Sequence, residues 1–264
     1  EAIEVDVDVV ADFDPLDKDG NHAGQAFVCG VMEHIEEAGI HSGDSACAIP
    51  PYSLPEVVVE SLKTQSHNLA KALQVRGLMN IQYAIKRPDH EGGEYEIFVL
   101  EVNPRASRTV PFVSKATGQS WARIAAKVMA GKSLRELGVQ TPVATAYVSV
   151  KESVFPFNKF PGVDVILGPE MRSTGEVMGI DPEFAVAFAK SQMAAGTFLP
   201  TQGKVFFSIR RSEQNQVINV ARELVQMGFE LFTTQGTHDS LAAQGIKTQP
   251  IKKISEGRPN CVDL

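Results

Sequence analysis

Two patterns in the sequence predict a mixed α/β protein. In the first part of the chain, alternating apolar and polar residues form runs separated by polar loops, the signature of paired antiparallel strands. After Gly196, short apolar runs alternate with helical stretches, the signature of a parallel sheet. The expected architecture is therefore an α+β portion on an antiparallel sheet, then a smaller portion on a parallel one. The chain has 264 residues, 43% hydrophobic and 22% charged, which is enough for a sizeable core.

Residues 2–10 set Ile3, Val5, Val7 and Val9 against Glu4, Asp6 and Asp8, the period of a half-buried strand. A polar stretch from Asp12 to Gly24 precedes a second strand, Ala26 to Ile35, so the two read as an antiparallel pair. Residues 54–74 carry Val58, Leu62, Leu69 and Leu73 at helical spacing, with Ser53 as the expected N-cap and Pro55 in the first turn. Leu78–Lys86 and Tyr95–Asn103 read as strands joined by the polar loop Arg87–Glu94, longer than a tight hairpin. Ser120 opens a short helix over residues 120–130.

From Thr141 to Met178, Pro142, Pro156, Pro161, Gly162, Gly168, Pro169 and Gly175 predict an irregular segment with short strands. A helix at 182–194 follows, and Gly196 marks a boundary. Beyond it come strand Lys204–Arg210, helix Glu213–Met227, strand Phe229–Thr233, helix His238–Gln244 and strand Lys247–Ile251. Ser212 is the expected cap of the first helix and Gly228 its stop.

The net charge of −7, with no Lys/Arg cluster against it, argues against nucleic acid and anionic membrane as partners. No apolar run approaches the roughly 18 residues that span a bilayer. Cys29, Cys47 and Cys261 are odd in number and lack metal-ligand spacing, which fits reduced thiols in a cytosolic protein. The chain opens on Glu1 inside a strand pattern and stops at Leu264, so a fragment of something longer is expected.

The sharpest chemistry lies on the strands holding Gln82 and Phe98–Asn103. Strand alternation puts Glu101 and Asn103 on one face together with Ile97 and Val99, and Phe98, Leu100 and Val102 on the other. An apolar face thus turns polar only at its C-terminal end, where ligand sites gather. A carboxylate and an amide oxygen two residues apart suit Mg²⁺, and Gln82 on the partner strand could add a third oxygen. Arg105 and Arg108 follow directly, and guanidinium groups match phosphoryl oxygens. Taken alone, a Glu-x-Asn pair is more often a plain polar strand face. With these neighbours it reads as a phosphoryl-transfer site.

The run Leu100-Glu101-Val102-Asn103-Pro104-Arg105 resembles the metal-binding strand of ATP-grasp ligases. Longer runs, Gly39 to Cys47, Val75 to Asn80, Asn103 to Gly118, Phe155 to Asp164 and Gly168 to Gly179, resemble the large-subunit family of carbamoyl-phosphate synthases. The resemblance covers essentially the whole chain. It implies the C-terminal part of an ATP-grasp domain over residues 1–142, a connecting segment over 143–195, and a partial methylglyoxal-synthase-like domain over 196–264.

It also implies phosphorylation of carbamate by ATP at the second of two similar sites, serving arginine and pyrimidine biosynthesis in the cytoplasm. Gln82 and Glu101 would touch metal (Mg²⁺ or Mn²⁺) and ATP, Asn103 would complete the metal shell, and Gly39, Ile40, His41 and Ser42 would line the nucleotide pocket. Arg108, with Arg105, would act on the transferring phosphoryl group. Glu36, Asp44 and Glu152 match carboxylates that hold the activator ornithine. Thr234, Thr237 and Lys253 match residues that hold the phosphate of UMP or IMP, although Gln214 stands where the bacterial pattern has lysine.

The implied partners are a glutaminase small subunit and the remainder of the large subunit, in a hetero-oligomer. The Gly-rich lid of an ATP-grasp fold would precede Glu1, so the piece alone is not expected to turn over. The alternatives are another ATP-grasp ligase of biotin-carboxylase type, or an effector-binding fragment without turnover.

Overall fold

The computed structural model of the protein describes residues 2–13, 24–88, 90, 93–140 and 146–264. Parts of the loops expected at Asp12–Gly24 and Arg87–Glu94, and the boundary expected at 142/143, lie outside the described residues. The chain forms two compact units, Glu1–Phe198 and Leu199–Leu264.

The strands of the first unit are β1 (Ala2–Asp12), β2 (Ala26–His34), β3 (Cys47–Ile49), β4 (Arg76–Lys86), β5 (Glu96–Asn103), β6 (Val148–Val154) and β7 (Gly175–Asp181). Its helices are α1 (Glu56–Ala72), α2 (Val110–Thr117), α3 (Trp121–Met129) and α4 (Phe184–Ala194). Among the described residues the strands form one sheet in the order β5-β4-β1-β2-β3-β6-β7, with every neighbouring pair antiparallel. This is the antiparallel sheet that the sequence predicts.

Strand alternation gives the central sheet two different faces. Val5, Val7 and Val9 of β1 join Met79, Ile81, Tyr83 and Ile85 of β4 on one face, packed against Val58, Val59 and Leu62 of α1. On the other face Val10, Met32 and Leu78 meet Phe112, Val113 and Trp121 of α2 and α3. Further along that second face stand Glu4, Asp6 and Asp8, exposed by only 4%, 1% and 1%. β1 is thus covered on both faces and not half-buried as its alternation suggests, because α1 packs on one face while α2, α3 and the backbone or side chains of Gly39, Ser107 and Thr109 lie over the other.

Several local expectations are corrected. The N-cap of α1 is Pro55, without a side-chain capping bond. Ser53 instead gives its N–H to Glu33 Oε2 at 2.9 Å and its hydroxyl to Glu33 Oε1. Ser120 does occupy the N-cap of α3, but its side chain makes no capping bond. The sequence reading missed β3 and α2. The signals of α2 are Pro111 in its first turn and Gly118 at φ 71° just past its end.

The segment read as irregular supplies β6 and β7, which pair over seven residues from Val148↔Asp181 to Val154↔Gly175. Pro156, Pro161, Gly162, Gly168 and Pro169 lie between those strands. Behind β7, α4 approaches at backbone distance: a Cβ on Gly179 would lie 2.1 Å from the Ala187 carbonyl oxygen.

The second unit holds β8 (Lys204–Phe207), β9 (Glu230–Thr233) and β10 (Gln249–Pro250), parallel and in the order β10-β9-β8. Helices α5 (Ile218–Gln226) and α6 (Gln235–Ala242) connect them, over a core of Ala221, Leu231, Leu241 and Ile246. The helix expected from Glu213 opens instead with a 3₁₀ turn at Gln214–Val217, so Val217 and not Ser212 is the N-cap of α5. Gly228, at φ 91°, follows the end of α5, as read. α6 starts at Gln235, earlier than expected, which places Thr234 at its N-cap.

Among the described residues no helix is long and apolar enough to cross a membrane. Cys29, Cys47 and Cys261 are free thiols.

The fully buried Leu62 and the exposed Val57 of the same helix give a paired test of this packing. Leu62→Ala lowers the unfolding free energy by about 3 kcal/mol, and Val57→Ala changes it by less than about 0.5 kcal/mol, read by denaturant titration.

Candidate functional site

The register of three strands builds the floor of a cleft. Asp8 of β1 stands opposite Asn80 of β4, which stands opposite Asn103 of β5; one step along, Asp6, Gln82 and Glu101 form a second row. Directly paired residues share a face. The register shifts between Gln82 and Tyr83, so that Tyr83 pairs with Val99 and Leu100 is the extra residue of a bulge. The bulge corrects the expected faces. Ile97 and Val102 pack on the α1 side, and Val99 pairs with Tyr83 of that core. Glu101 and Asn103 share the opposite face with Phe98. The two ligand candidates do lie on one face, as read.

The cleft has a volume of about 650 Å³. It is lined by Gln82, Glu101, Asn103, Arg105 and Arg108, and by Gly39, Ile40, His41 and Ser42 from the turn after β2. That turn is fixed from both sides. His41 N–H donates to the Gly168 carbonyl at 2.9 Å and Gly43 N–H to His41 Nδ1 at 3.0 Å. Gly39, at φ 102°, donates its N–H to Glu4 Oε2 at 3.0 Å. Among the described residues neither arginine is held by a carboxylate: Arg105 Nη1 donates to the Ala106 carbonyl at 3.1 Å, and Arg108 Nη1 meets Met171 Sδ.

Sequence reasoning missed the acids under this cleft, since it took Glu4, Asp6 and Asp8 for a solvated strand face. Glu4 lines the cleft itself. His34 sits between Asp6 Oδ2 at 3.2 Å and Glu4 Oε1 at 3.8 Å, and Asp6 Oδ1 has no partner among the described residues. Burial pushes the Asp8 carboxyl up to about 6, against the hydrogen bond from Asn80; the charge of Asp6 adds to the rise, and bonds from Ser107 and Thr109 oppose it.

Among the described residues no group of three or more His, Cys, Asp or Glu is placed to hold a metal ion. The donors here are instead one carboxylate and two amides. Asn103 Nδ2 donates to Glu101 Oε1 at 2.7 Å, which leaves its amide oxygen and Glu101 Oε2 for a cation. That sparse all-oxygen set fits Mg²⁺, which keeps water and takes phosphate oxygens for its remaining positions.

The sequence matches the carbamoyl-phosphate synthase L chain ATP-binding domain over residues 3–137, just over half of the chain. This chain belongs to that family. Residues 216–264 match the MGS-like domain. The carbamoyl phosphate synthase large chain of Myxococcus xanthus is 54% identical over 263 residues, and that of Ralstonia nicotianae 52% over 264. That of Archaeoglobus fulgidus is also 52% identical. Each alignment takes in 100% of this chain and 23% of the relative, so the chain spans about a quarter of their length.

Solved structures extend the likeness of fold alone. The Kluyveromyces lactis urea amidolyase superposes with a TM-score of 0.53 at 15% identity, over 73% of this chain and 12% of that one. A single-chain, multi-domain long-chain acyl-CoA carboxylase gives 0.51 at 16%, over 74% and 22%.

In this carbamoyl-phosphate synthase family member, two of the three acids matched to the ornithine site come together electrostatically. Burial pushes Glu152 up to about 7, and the neighbouring charge of Glu36 adds to the shift. Burial likewise raises Glu36, whose Oε2 has no partner among the described residues. Glu152 accepts from Gln192 Nε2 at 2.6 Å and Ser153 N–H at 3.3 Å. Asp44 is fully buried and its carboxylate takes the N–H groups of Arg172 and Ser173 at 2.7 and 2.8 Å. It orders that backbone directly.

In the second unit a cleft of about 670 Å³ collects Thr234, Thr237 and Lys253, the three residues matched to nucleotide binding, together with Gln214. Thr234 and Thr237 are 5% and 1% exposed, and their hydroxyls lie 3.3 Å apart at the start of α6. The same cleft is lined by Ser208, Arg210 and Arg211, which the sequence reading passed over. Adjacent arginines after a strand were the available signal.

The raised Glu152 carboxyl makes a stability prediction. The folded chain holds that proton to a higher pH than the unfolded chain, so Glu152 favours folding at low pH. Its contribution is lost between pH 4.5 and about 7. The unfolding free energy, read by chemical denaturation across that window, falls less steeply with rising pH in Glu152→Gln than in the parent.

Proposed function

We propose that this chain is part of the large subunit of a glutamine-hydrolysing carbamoyl-phosphate synthase, and that its cleft binds Mg–ATP and phosphorylates carbamate. What carries this reading is convergence. Residues 39–42, Gln82, Glu101 with Asn103, and Arg105 with Arg108 are remote in sequence yet line one cleft. The full-chain likeness to proteins named carbamoyl phosphate synthase large chain supplies the substrate.

Glu101, with the amide oxygens of Gln82 and Asn103, holds the divalent cation, magnesium or manganese. When bound, that cation offsets charge on the phosphate oxygens. Gly39, Ile40, His41 and Ser42 line the nucleotide side. A carbamate oxygen attacks the γ-phosphorus as the bond to the leaving ADP oxygen breaks. Arg105 and Arg108, with no competing carboxylate among the described residues, stabilise the charge on the transferring oxygens. No side chain needs to act as nucleophile.

Two further sites regulate the reaction in this reading. Glu36 and Glu152 are two crowded carboxylates with one unpartnered oxygen, a receptor for an ammonium group such as that of ornithine. Asp44 orders the backbone of that region. The cleft of the second unit takes the phosphate of UMP or IMP on Thr234, Thr237 and Lys253, with Arg210 and Arg211 supplying cations where Gln214 replaces lysine. A glutaminase small subunit provides ammonia and the remainder of the large subunit provides carbamate, in a cytoplasmic hetero-oligomer. The unit boundaries proposed for the parent protein follow the sequence reading: 1–142, 143–195 and 196–264.

Glu101→Gln in the full-length complex tests the catalytic assignment. It abolishes ATP synthesis from ADP and carbamoyl phosphate while bicarbonate-dependent ATP hydrolysis at the other site continues. Loss of both activities, or of neither, overturns the assignment. For the effector cleft, Lys253→Gln and Arg211→Gln each weaken UMP binding by roughly tenfold or more, the worth of one charge-assisted bond, read by calorimetry.

A further inference from the structure

The segment that carries Arg105 and Arg108 runs from the end of β5 to the start of α2 and needs something to hold it over the cleft. Its backbone offers little. Arg105 N–H bonds the Asn103 carbonyl at 2.7 Å, and Val113 N–H bonds the Thr109 carbonyl at 2.9 Å. Neither arginine is fixed by an ion pair with the floor.

The fixed point is a buried carboxylate from the opposite end of the sequence. Asp8 accepts the Ser107 hydroxyl at 2.8 Å on Oδ1 and 3.0 Å on Oδ2, and the Thr109 hydroxyl at 3.1 Å on Oδ2. Ser107 and Thr109 are themselves 2.7 Å apart. Asp8 also accepts Asn80 Nδ2 at 3.0 Å, and Asn80 lines the cleft opposite Asn103. One carboxyl group therefore ties the arginine segment, the cleft floor and β1 together. It is 1% exposed, and among the described residues its donors are neutral and no salt bridge offsets its desolvation.

We propose that Asp8, through Ser107 and Thr109, is a positioning residue for phosphoryl transfer: it sets where Arg105 and Arg108 stand relative to the oxygens of Gln82, Glu101 and Asn103. This rests on the reading of the cleft given above. Asp8 reaches no substrate itself. Its effect passes through the two arginines, so it bears on the rate of transfer more than on nucleotide binding, because misplacing a transition-state cation leaves ground-state contacts largely intact.

The test uses the full-length chain in its complex, assayed by ATP formation from ADP and carbamoyl phosphate. Ser107→Ala/Thr109→Val lowers kcat by about tenfold to a hundredfold, with the KM for ADP changed less than about threefold. Thr109→Ser, which keeps the hydroxyl, retains near-parental kcat. The same double substitution made in an Arg108→Ala background costs much less than in the parent, since the group it positions is gone.

Full additivity with Arg108→Ala, or an unchanged kcat, overturns the positioning role while leaving the reading of the cleft in place. If Arg105→Ala and Arg108→Ala are themselves without effect on kcat, the reading of the cleft fails instead. Should the double variant fold poorly, Thr109→Val alone, checked for parental melting temperature, carries the same cycle.

Discussion

The register of β4 against its two neighbours is the constraint on which the site depends. Asp8, Asn80 and Asn103 form one row across β1, β4 and β5, and Asp6, Gln82 and Glu101 the next. A slip of one residue in either ladder would carry a whole row to the α1 face. The register is held because that face is a continuous apolar surface with Tyr83, Ile81 and Met79 fully buried in it. Hydrophobic burial on one side of the sheet thus fixes polar chemistry on the other. The bulge at Leu100 then re-aims the last residues of β5 without disturbing the pairs before it.

The second face of the sheet divides its length between packing and chemistry. Where α2 and α3 cover it, Val10 and Leu78 are core residues. One row further along the residues become Asp8 and Asn80. The segment leaving β5 crosses at that transition, which is why the hydroxyls of Ser107 and Thr109 can reach a carboxylate 99 and 101 residues away. Burying Glu4, Asp6 and Asp8 so close together is unfavourable, and the upward shift of Asp8 records it. Such local cost is the usual mark of a site maintained for function rather than stability.

Much of this was legible in the sequence, and the omissions have physical causes. Alternation located β1, β2, β4 and β5, and the two-residue spacing placed Glu101 and Asn103 on one face. Alternation could not say whether the polar face of β1 meets water, since that depends on strands and helices far away in sequence. Nor could it foresee the bulge, which depends on how β5 pairs with β4. In the segment 141–178 the prolines and glycines pointed to an irregular stretch with short strands but could not place them; β6 and β7 are those strands, paired over seven residues. Two of the three inferred side-chain caps misplaced a helix start, since Ser53 serves Glu33 and Ser212 precedes a 3₁₀ turn, while Ser120 does stand at the N-cap of α3.

Among the described residues β5 ends the sheet and is paired on one side only. Opening it requires breaking a single ladder, so it belongs to the low-stability end of the fold's local equilibria, unlike β1, which is held from both sides. Two of the three candidate cation ligands ride on that strand, while Gln82 stays on the anchored neighbour. A cation bridging Glu101 to Gln82 would therefore act as a cross-link between a fraying strand and a fixed one. Ligand capture and local ordering become the same event, and amide exchange along Glu96–Asn103 would slow as the site fills.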